Sequence, residues 1–227
     1  MFTTHDNSFD ILDTIKATNK GFTYKKLHAL RTFEAYQMYY KTFSLDQVLD
    51  TYNVMEKEVL KSFTTDLVVR SLFLKSELKY TFTTNDYVAL KSAVKLQIIR
   101  ELRQPSGLGR QNFKWNDRTY WNQVLKLKST STDDVISLNE KNQPVETSRF
   151  NLFFYDGSSN EVFTPSLSTG CVNGVFRRFA FQQGFVQLPE IGIKKLRETD
   201  IFIDTIKNYQ LFVANSVRGL VPAELVS

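Results

Sequence analysis

Ser168-Thr169-Gly170-Cys171-Val172-Asn173-Gly174-Val175-Phe176-Arg177-Arg178-Phe179 holds two glycines four apart, followed by two arginines between phenylalanines. Glycine allows backbone turns that a side chain would obstruct. The phenylalanines can anchor the segment while the guanidiniums point outward. Arginine's planar fork suits phosphate oxygens and stacks on bases. Two readings follow from these residues. One is a small RNA-gripping element; the other is a turn leading into an amphipathic strand with surface arginines.

Charge around this stretch favours a polyanion partner. Residues 61–130 hold 13 basic and 5 acidic side chains, a net of +8, whereas residues 131–170 hold 2 basic and 6 acidic. A basic block of this size is the electrostatic footprint expected of nucleic-acid binding, and a solvated helix face is the alternative. The acidic block should face solvent or protein. A single cysteine, Cys171, excludes an internal disulfide and a multi-cysteine zinc site. With only His5 and His28 as histidines, a Cys-His pair or a His-rich metal site is not expected, and no metal or cofactor is assigned. No run approaches the ~18 apolar residues of a membrane span, and the acidic N-terminus lacks the pattern of a signal or transit segment.

Outward from the motif, the periodicity predicts mostly helices. Phe9, Ile11, Leu12 and Ile15 recur at helical spacing. Leu27 to Tyr39 forms a second run, and Ser44 reads as the N-cap of a third. Residues 63–103 read as a basic helical hairpin with a turn at Thr84-Asn85-Asp86, closed by the loop Pro105-Ser106-Gly107-Leu108-Gly109. A short helix is predicted over 117–128. There Lys114, Trp115, Arg118, Tyr120, Trp121, Lys126 and Lys128 interleave charge with aromatic surface, as base stacking with phosphate contact needs. Residues 129–147 read as a polar loop, 148–166 as a β-hairpin turning at Asp156-Gly157, 181–188 as extended, and 199–217 as a last helix.

Taken in order, Tyr120–Leu127, Ser148-Arg149-Phe150-Asn151, Thr169-Gly170 with Gly174-Val175-Phe176-Arg177-Arg178-Phe179, and Arg218-Gly219-Leu220-Val221-Pro222 resemble the small-subunit ribosomal protein S14 family. The cysteine pairs of the zinc-binding class are absent, Cys171 stands where that family has an arginine, and the islands of similarity cover about half the chain. The resemblance implies a divergent mitochondrial form acting as a structural constituent of the subunit head, without catalysis and without a small-molecule substrate. It implies small-subunit rRNA and proteins of the S3, S10 and S19 type as partners, and location in the mitochondrial matrix, with an organelle-encoded gene as one option. Lys126, Lys128, Arg149, Asn151, Thr169, Gly170, Gly174, Arg177, Arg178, Arg218 and Gly219 would contact RNA. Trp121, Phe176, Phe179 and Pro222 would be structural anchors.

The fold expected is α+β, mainly α-helical, with extended RNA-binding segments, one short β-hairpin and a zinc-free S14-like C-terminal half. Its divisions are a helical extension over 1–60, a basic helical region over 61–128, and the S14-like core with insertions over 129–227. A viral or phage assembly protein is the alternative. An enzyme would have to use Asp133-Asp134, the only adjacent acidic pair, which sits in the polar loop.

Overall fold

A computed structural model describes residues 9–40, 43–74 and 77–226, so His5 lies outside the described residues. They form two compact units. The first runs to Val88 and takes in Lys114–Asp117; the second is Ala89–Phe113 with the described residues from Arg118 onward.

The first unit is a four-stranded antiparallel sheet carrying two helices. Its strands are β1 (Ile11–Thr18), β2 (Gly21–Phe22), β3 (Leu67–Phe73) and β4 (Tyr80–Asp86), in the order β2-β1-β3-β4. The helices are α1 (Lys25–Tyr39) and α2 (Leu45–Leu60). Ser44 caps α2, as its position in the sequence suggests. Its Oγ accepts from Gln47 N at 3.2 Å, and the Gln47 side chain accepts from Ser44 N at 2.9 Å. Val48, Tyr52, Met55 and Val59 form the buried face of α2.

The helix expected from Phe9 to Ile15 is instead strand β1. Ile11, Thr14, Ile15 and Thr18 are β-branched, and Ile15 and Ala17 bury alternate positions while β1 pairs with β3 over seven residues, Ile11↔Phe73 to Ala17↔Leu67. The first helix of the expected hairpin is β3, where Val69, Ser71 and Phe73 point inward with period two. Thr84-Asn85-Asp86 is not a turn but the end of β4, paired to Val69, Val68 and Leu67.

One polar knot lies inside this unit. Asp13, on β1, is fully buried. It accepts hydrogen bonds from His28 Nδ1 at 2.8 and 2.9 Å, from Tyr52 OH at 2.6 Å, and from Arg31. Burial by itself would raise the Asp13 pKa, but His28 and Arg31 outweigh it and hold the carboxyl far below the usual carboxylate range. Burial lowers the His28 pKa against the pull of Asp13, with Arg31 and Lys114 adding to the lowering. Its Nε2 is buried without a hydrogen-bond partner, which suits a neutral ring donating from Nδ1.

The second unit is built on a nine-stranded mixed sheet. In chain order the strands are β5 (Val94–Gln104), β6 (Asp134–Asn139), β7 (Pro144–Thr147), β8 (Asn151–Asp156), β9 (Glu161–Pro165), β10 (Phe185–Leu188), β11 (Gly192–Thr199), β12 (Gln210–Asn215) and β13 (Gly219–Leu225). The spatial order is β10-β11-β9-β8-β12-β13-β5-β6-β7. Helices α3 (Thr119–Val124) and α4 (Val175–Gln183) pack on it.

A mainly α-helical fold is therefore not what forms, and the physical reason is visible in the central strands. Leu211, Phe212, Val213 and Ala214 are consecutive and all buried, because β12 has both faces covered. A run of that kind lacks alternation and can be mistaken for a helix, which is how residues 199–217 misled. Residues 129–147 are not a polar loop. They contain β6 and β7, every residue of which is buried, with Asp134, Ser137, Asn139 and Glu146 held by hydrogen bonds inside the sheet. The expected hairpin over 148–166 does form, as β8 and β9. The motif 168–179 is neither wholly extended nor a strand, since Val175 starts helix α4.

Candidate active site

Within the second unit, one turn between β9 and α4 gathers an unusual number of polar partners. Five carbonyls between Leu167 and Val172 are met by side-chain amides from separate elements. Asn112 Nδ2 donates to Leu167 O at 2.9 Å and Cys171 O at 2.8 Å, and Asn139 Nδ2 donates to Thr169 O at 3.3 Å. Gln104 Nε2 donates to Gly170 O at 3.1 Å, and Asn151 Nδ2 to Val172 O at 2.8 Å. Two glycines make this packing possible. Gly170 has φ +98°, and a Cβ there would lie 2.3 Å from Pro105 O; a Cβ on Gly174 would lie 2.1 Å from Asn151 Oδ1.

The turn delivers the chain into α4. The first helical bond runs from Arg178 N to Gly174 O. The N–H groups of Val175, Phe176 and Arg177 therefore have no intrahelical acceptor, and no side chain caps them. The first turn holds no acidic residue. Together these N–H groups and the helix dipole form a preorganised place for an anion. One residue before Asn173, the Val172 N–H donates to Glu146 Oε2 at 3.0 Å, which ties a buried carboxylate from β7 to the same turn. The Tyr120 hydroxyl of α3 is buried near Ser137 and within electrostatic reach of Glu146, without a hydrogen bond of good geometry. Burial raises its pKa, so it is a phenol ready to donate.

Within the first unit, Lys114–Asp117 runs beside the start of β1. Leu12 N donates to Lys114 O and Asn116 N to Asp10 O, both at 3.0 Å. Trp115 bridges to Ile11 and meets the Tyr39 ring edge-on at 5.0 Å. The Lys114 ammonium is half-buried and donates to Thr14 Oγ1 at 3.0 Å, on the residue next to Asp13.

The side chains expected to grip RNA are used otherwise. Arg177 is buried. Its guanidinium is bonded to Glu198, Pro165 O and Asn173 Oδ1, and lies over the Phe181 ring at 4.7 Å. Arg178 Nε donates to Asn173 O at 3.0 Å. Arg149 pairs with Asp134 and donates to Asp133 O, so Asp133-Asp134 is a structural pair rather than a catalytic one. Lys128 donates to the backbone of Ser129 and Thr132, and Lys126 is exposed.

Thr169 is buried and bonds Ser166 O at 2.7 Å. Arg218 N donates to Asn215 Oδ1 at 2.8 Å, and Gly219 (φ +70°) opens β13 opposite Asn215, in the strand that carries an exposed Pro222. Trp121 packs on Ile99, Val124 and Val135, whereas Phe176 sits in the α4 core with Phe179 beside it at 6.3 Å. The structure thus brings Gly170, Gly174, Asn151 and Thr169 together around one turn, and scatters the basic residues.

Arg177→Ala is a direct test of this reassignment. It should destabilise the protein by about 2 kcal/mol, less than for two fully buried partners because the Glu198 side chain is 36% exposed. Urea unfolding of the variant measures this. A stability equal to the parent's would mean that Arg177 contributes nothing to packing.

The buried Glu146 carboxylate and the uncapped start of α4 thus meet at one turn of the mixed sheet. The chain belongs to the class IV aminotransferase family, whose pattern it matches over residues 63–226. Its fold is similar to that of a Mesorhizobium loti protein described as an amino-acid aminotransferase, at 21% identity over 96% of this chain and 100% of that one, with a TM-score of 0.82. It is similar as well to a Mycobacterium tuberculosis protein described as a hypothetical aminotransferase with α-ketoglutarate and PMP bound, at 12% identity over 99% and 86% of the two chains, TM-score 0.78. A third is the Thermoproteus uzoniensis branched-chain aminotransferase, at 17% identity over 97% and 79%, TM-score 0.74. No curated protein matches the chain by sequence.

Family membership overturns the ribosomal reading. The chain is not an S14 protein, rRNA and proteins S3, S10 and S19 are not its partners, and neither a ribosomal nor a viral structural role stands. The family is one of enzymes acting on small molecules, so the non-catalytic expectation falls too. The S14 motif matched because Thr-Gly…Gly followed by two arginines is also what a tight turn entering a helix needs when one arginine is buried and the other caps backward.

Three residues around the turn in the second unit escaped the sequence reading, Asn112, Tyr120 and Glu146, as did Lys114 in the first unit. Lys114 and Tyr120 were seen as part of a basic-aromatic surface, and Glu146 as loop charge. The one available signal was Val145-Glu146-Thr147, a strand-like triplet with an acid on one face.

Proposed function

We propose that this protein is a pyridoxal-phosphate enzyme that transfers an amino group from an amino acid to a keto acid. The observation that carries this reading is the α4 start, free of acids and open to an anion, reached by the same turn that holds buried Glu146. The donor set fits the cofactor. The helix start would take the phosphate, as helix N-termini do. A buried acid is the partner a pyridine nitrogen requires. The unpartnered Tyr120 hydroxyl would donate to a ring oxygen. PMP in the Mycobacterium tuberculosis relative and membership of the family support it.

Pyridoxal phosphate, when bound, supplies the carbonyl that accepts the amino group and the ring that delocalises the electron pair. Lys114 is assigned as the amine that moves the proton, on its chemistry and surroundings. Lys128 and Lys194, also half-buried, are engaged with Ser129 O and Thr132 O and with Asn160 respectively, and the other described lysines of the matched span are exposed. The Lys114 ammonium donates to the Thr14 hydroxyl, a neutral acceptor. Glu146 would hold the ring nitrogen, and Tyr120, whose pKa burial raises, would keep its phenolic proton.

The purified protein should develop a visible absorbance band on addition of pyridoxal phosphate. Amino acids should bleach that band and keto acids restore it. A protein that gives no band, or a band indifferent to every amino acid, would not be this kind of enzyme.

A further inference from the structure

We propose that Asn112 is the positioning residue of the phosphate end of this site, with Asn151 as its second support. The inference rests on the function just argued and concerns how the anion cradle is held in register.

Asn112 is buried and closes a short 3-10 turn. Every hydrogen-bonding group of its side chain is used. The amide nitrogen spans Leu167 O and Cys171 O, and Oδ1 accepts from Gly109 N at 2.8 Å. Its main-chain carbonyl accepts from Asn173 N at 2.9 Å. Asn112 thus grips the chain on both sides of Gly170, and its last contact falls on the residue immediately before the helix N-cap, Gly174.

No other side chain does this at the same length. Aspartate has no donor and would set a charge against two carbonyls; serine is too short to span them; glutamine carries the amide one methylene further out. Asn151 approaches the same segment, holding Val172 O and touching the position where Gly174 lacks a Cβ. Between them the two asparagines secure Cys171, Val172 and Asn173, while Glu146 takes the Val172 N–H. What this geometry fixes is the direction of the N–H groups of Val175, Phe176 and Arg177.

The consequence is specific to one end of the ligand. A shift of about 1 Å in an oriented contact costs up to 10²-fold. Loosening the turn should weaken phosphate binding and leave ring binding alone. The test compares the wild-type apoprotein with Asn112→Ala and Asn112→Gln, using inorganic phosphate, pyridoxal phosphate and pyridoxal as probes. Binding is read by fluorescence quenching, and folding by circular dichroism.

For Asn112→Ala the expected result is about a tenfold or greater loss of affinity for inorganic phosphate and for pyridoxal phosphate, with the affinity for pyridoxal unchanged. Asn112→Gln should recover part of the loss. Equal losses for all three probes would make Asn112 merely structural, and unchanged binding would remove it from the site; either overturns the inference. If Asn112→Ala does not fold, Asn151→Ala takes the same measurement with the same two overturning outcomes. A wild-type protein that binds neither phosphate nor pyridoxal phosphate overturns the proposed function and this inference with it. Wild-type binding beside an unaltered variant overturns the inference alone.

Discussion

Lys114→Ala should lower amino transfer by about 10³-fold, the range for loss of a positioned proton-transfer group. It should leave the affinity for inorganic phosphate at the wild-type value, because no residue of the α4 start is touched. Borohydride reduction of the loaded wild-type protein should leave a stable mass increment on the peptide containing Lys114, and none in the variant. A mark on another lysine would relocate the amine. Thr14 bears on the same point. Its hydroxyl accepts from the Lys114 ammonium, so Thr14→Val, which keeps the shape and removes the oxygen, should move the pH profile of the rate more than it moves KM. A changed KM with an unchanged profile would mean that Thr14 serves only packing.

Asp13→Ala is the variant expected to cost most stability, about 3–5 kcal/mol, because it strips a carboxylate from three buried donors and leaves the Arg31 charge uncompensated. Urea unfolding gives the value, and a loss below about 1 kcal/mol would show that water reaches the knot.

The same knot sets a pH dependence whose sign is determined by two lowered pKa values. The unfolded chain protonates His28 below about 6.5 while the folded protein resists it, so the unfolded state binds more protons and stability falls as pH drops through that range. Asp13 behaves alike at lower pH. Its contribution is complete above the unfolded carboxyl pKa of about 3.9 and is lost as pH falls below it. Thermal unfolding of the wild type should therefore weaken first near pH 6 and steeply below pH 4. Asp13→Ala should show a smaller change below pH 4 than the wild type.

Some of the structure was legible in advance. Ser44 with Gln47 three residues later is a helix start that local chemistry dictates, and Asp156-Gly157 between two strand-forming runs gave the β8-β9 hairpin. The failures share a cause. Leu67 to Phe73 and Leu211 to Ala214 carry apolar residues at spacings compatible with either a helix or a buried strand, and only partners distant in the chain resolve them. β3 is a strand because β1 and β4 flank it; β12 is a strand because β8 and β13 flank it.

The site divides in the same way. Read alone, the chain determined that Gly170 and Gly174 stand where the backbone turns sharply and that its single cysteine offers no cluster for a metal. Those follow from residue chemistry and short spacing. The roles of Arg177 and Glu146 were decided by tertiary structure alone. A guanidinium's charge says phosphate until Glu198, Pro165 O and Phe181 enclose it, and a carboxylate in a polar stretch says solvent until two buried strands carry it to the turn before α4. Charge is written in the sequence, but whether it faces water, a ligand or a buried partner depends on desolvation, and desolvation is a property of the folded chain.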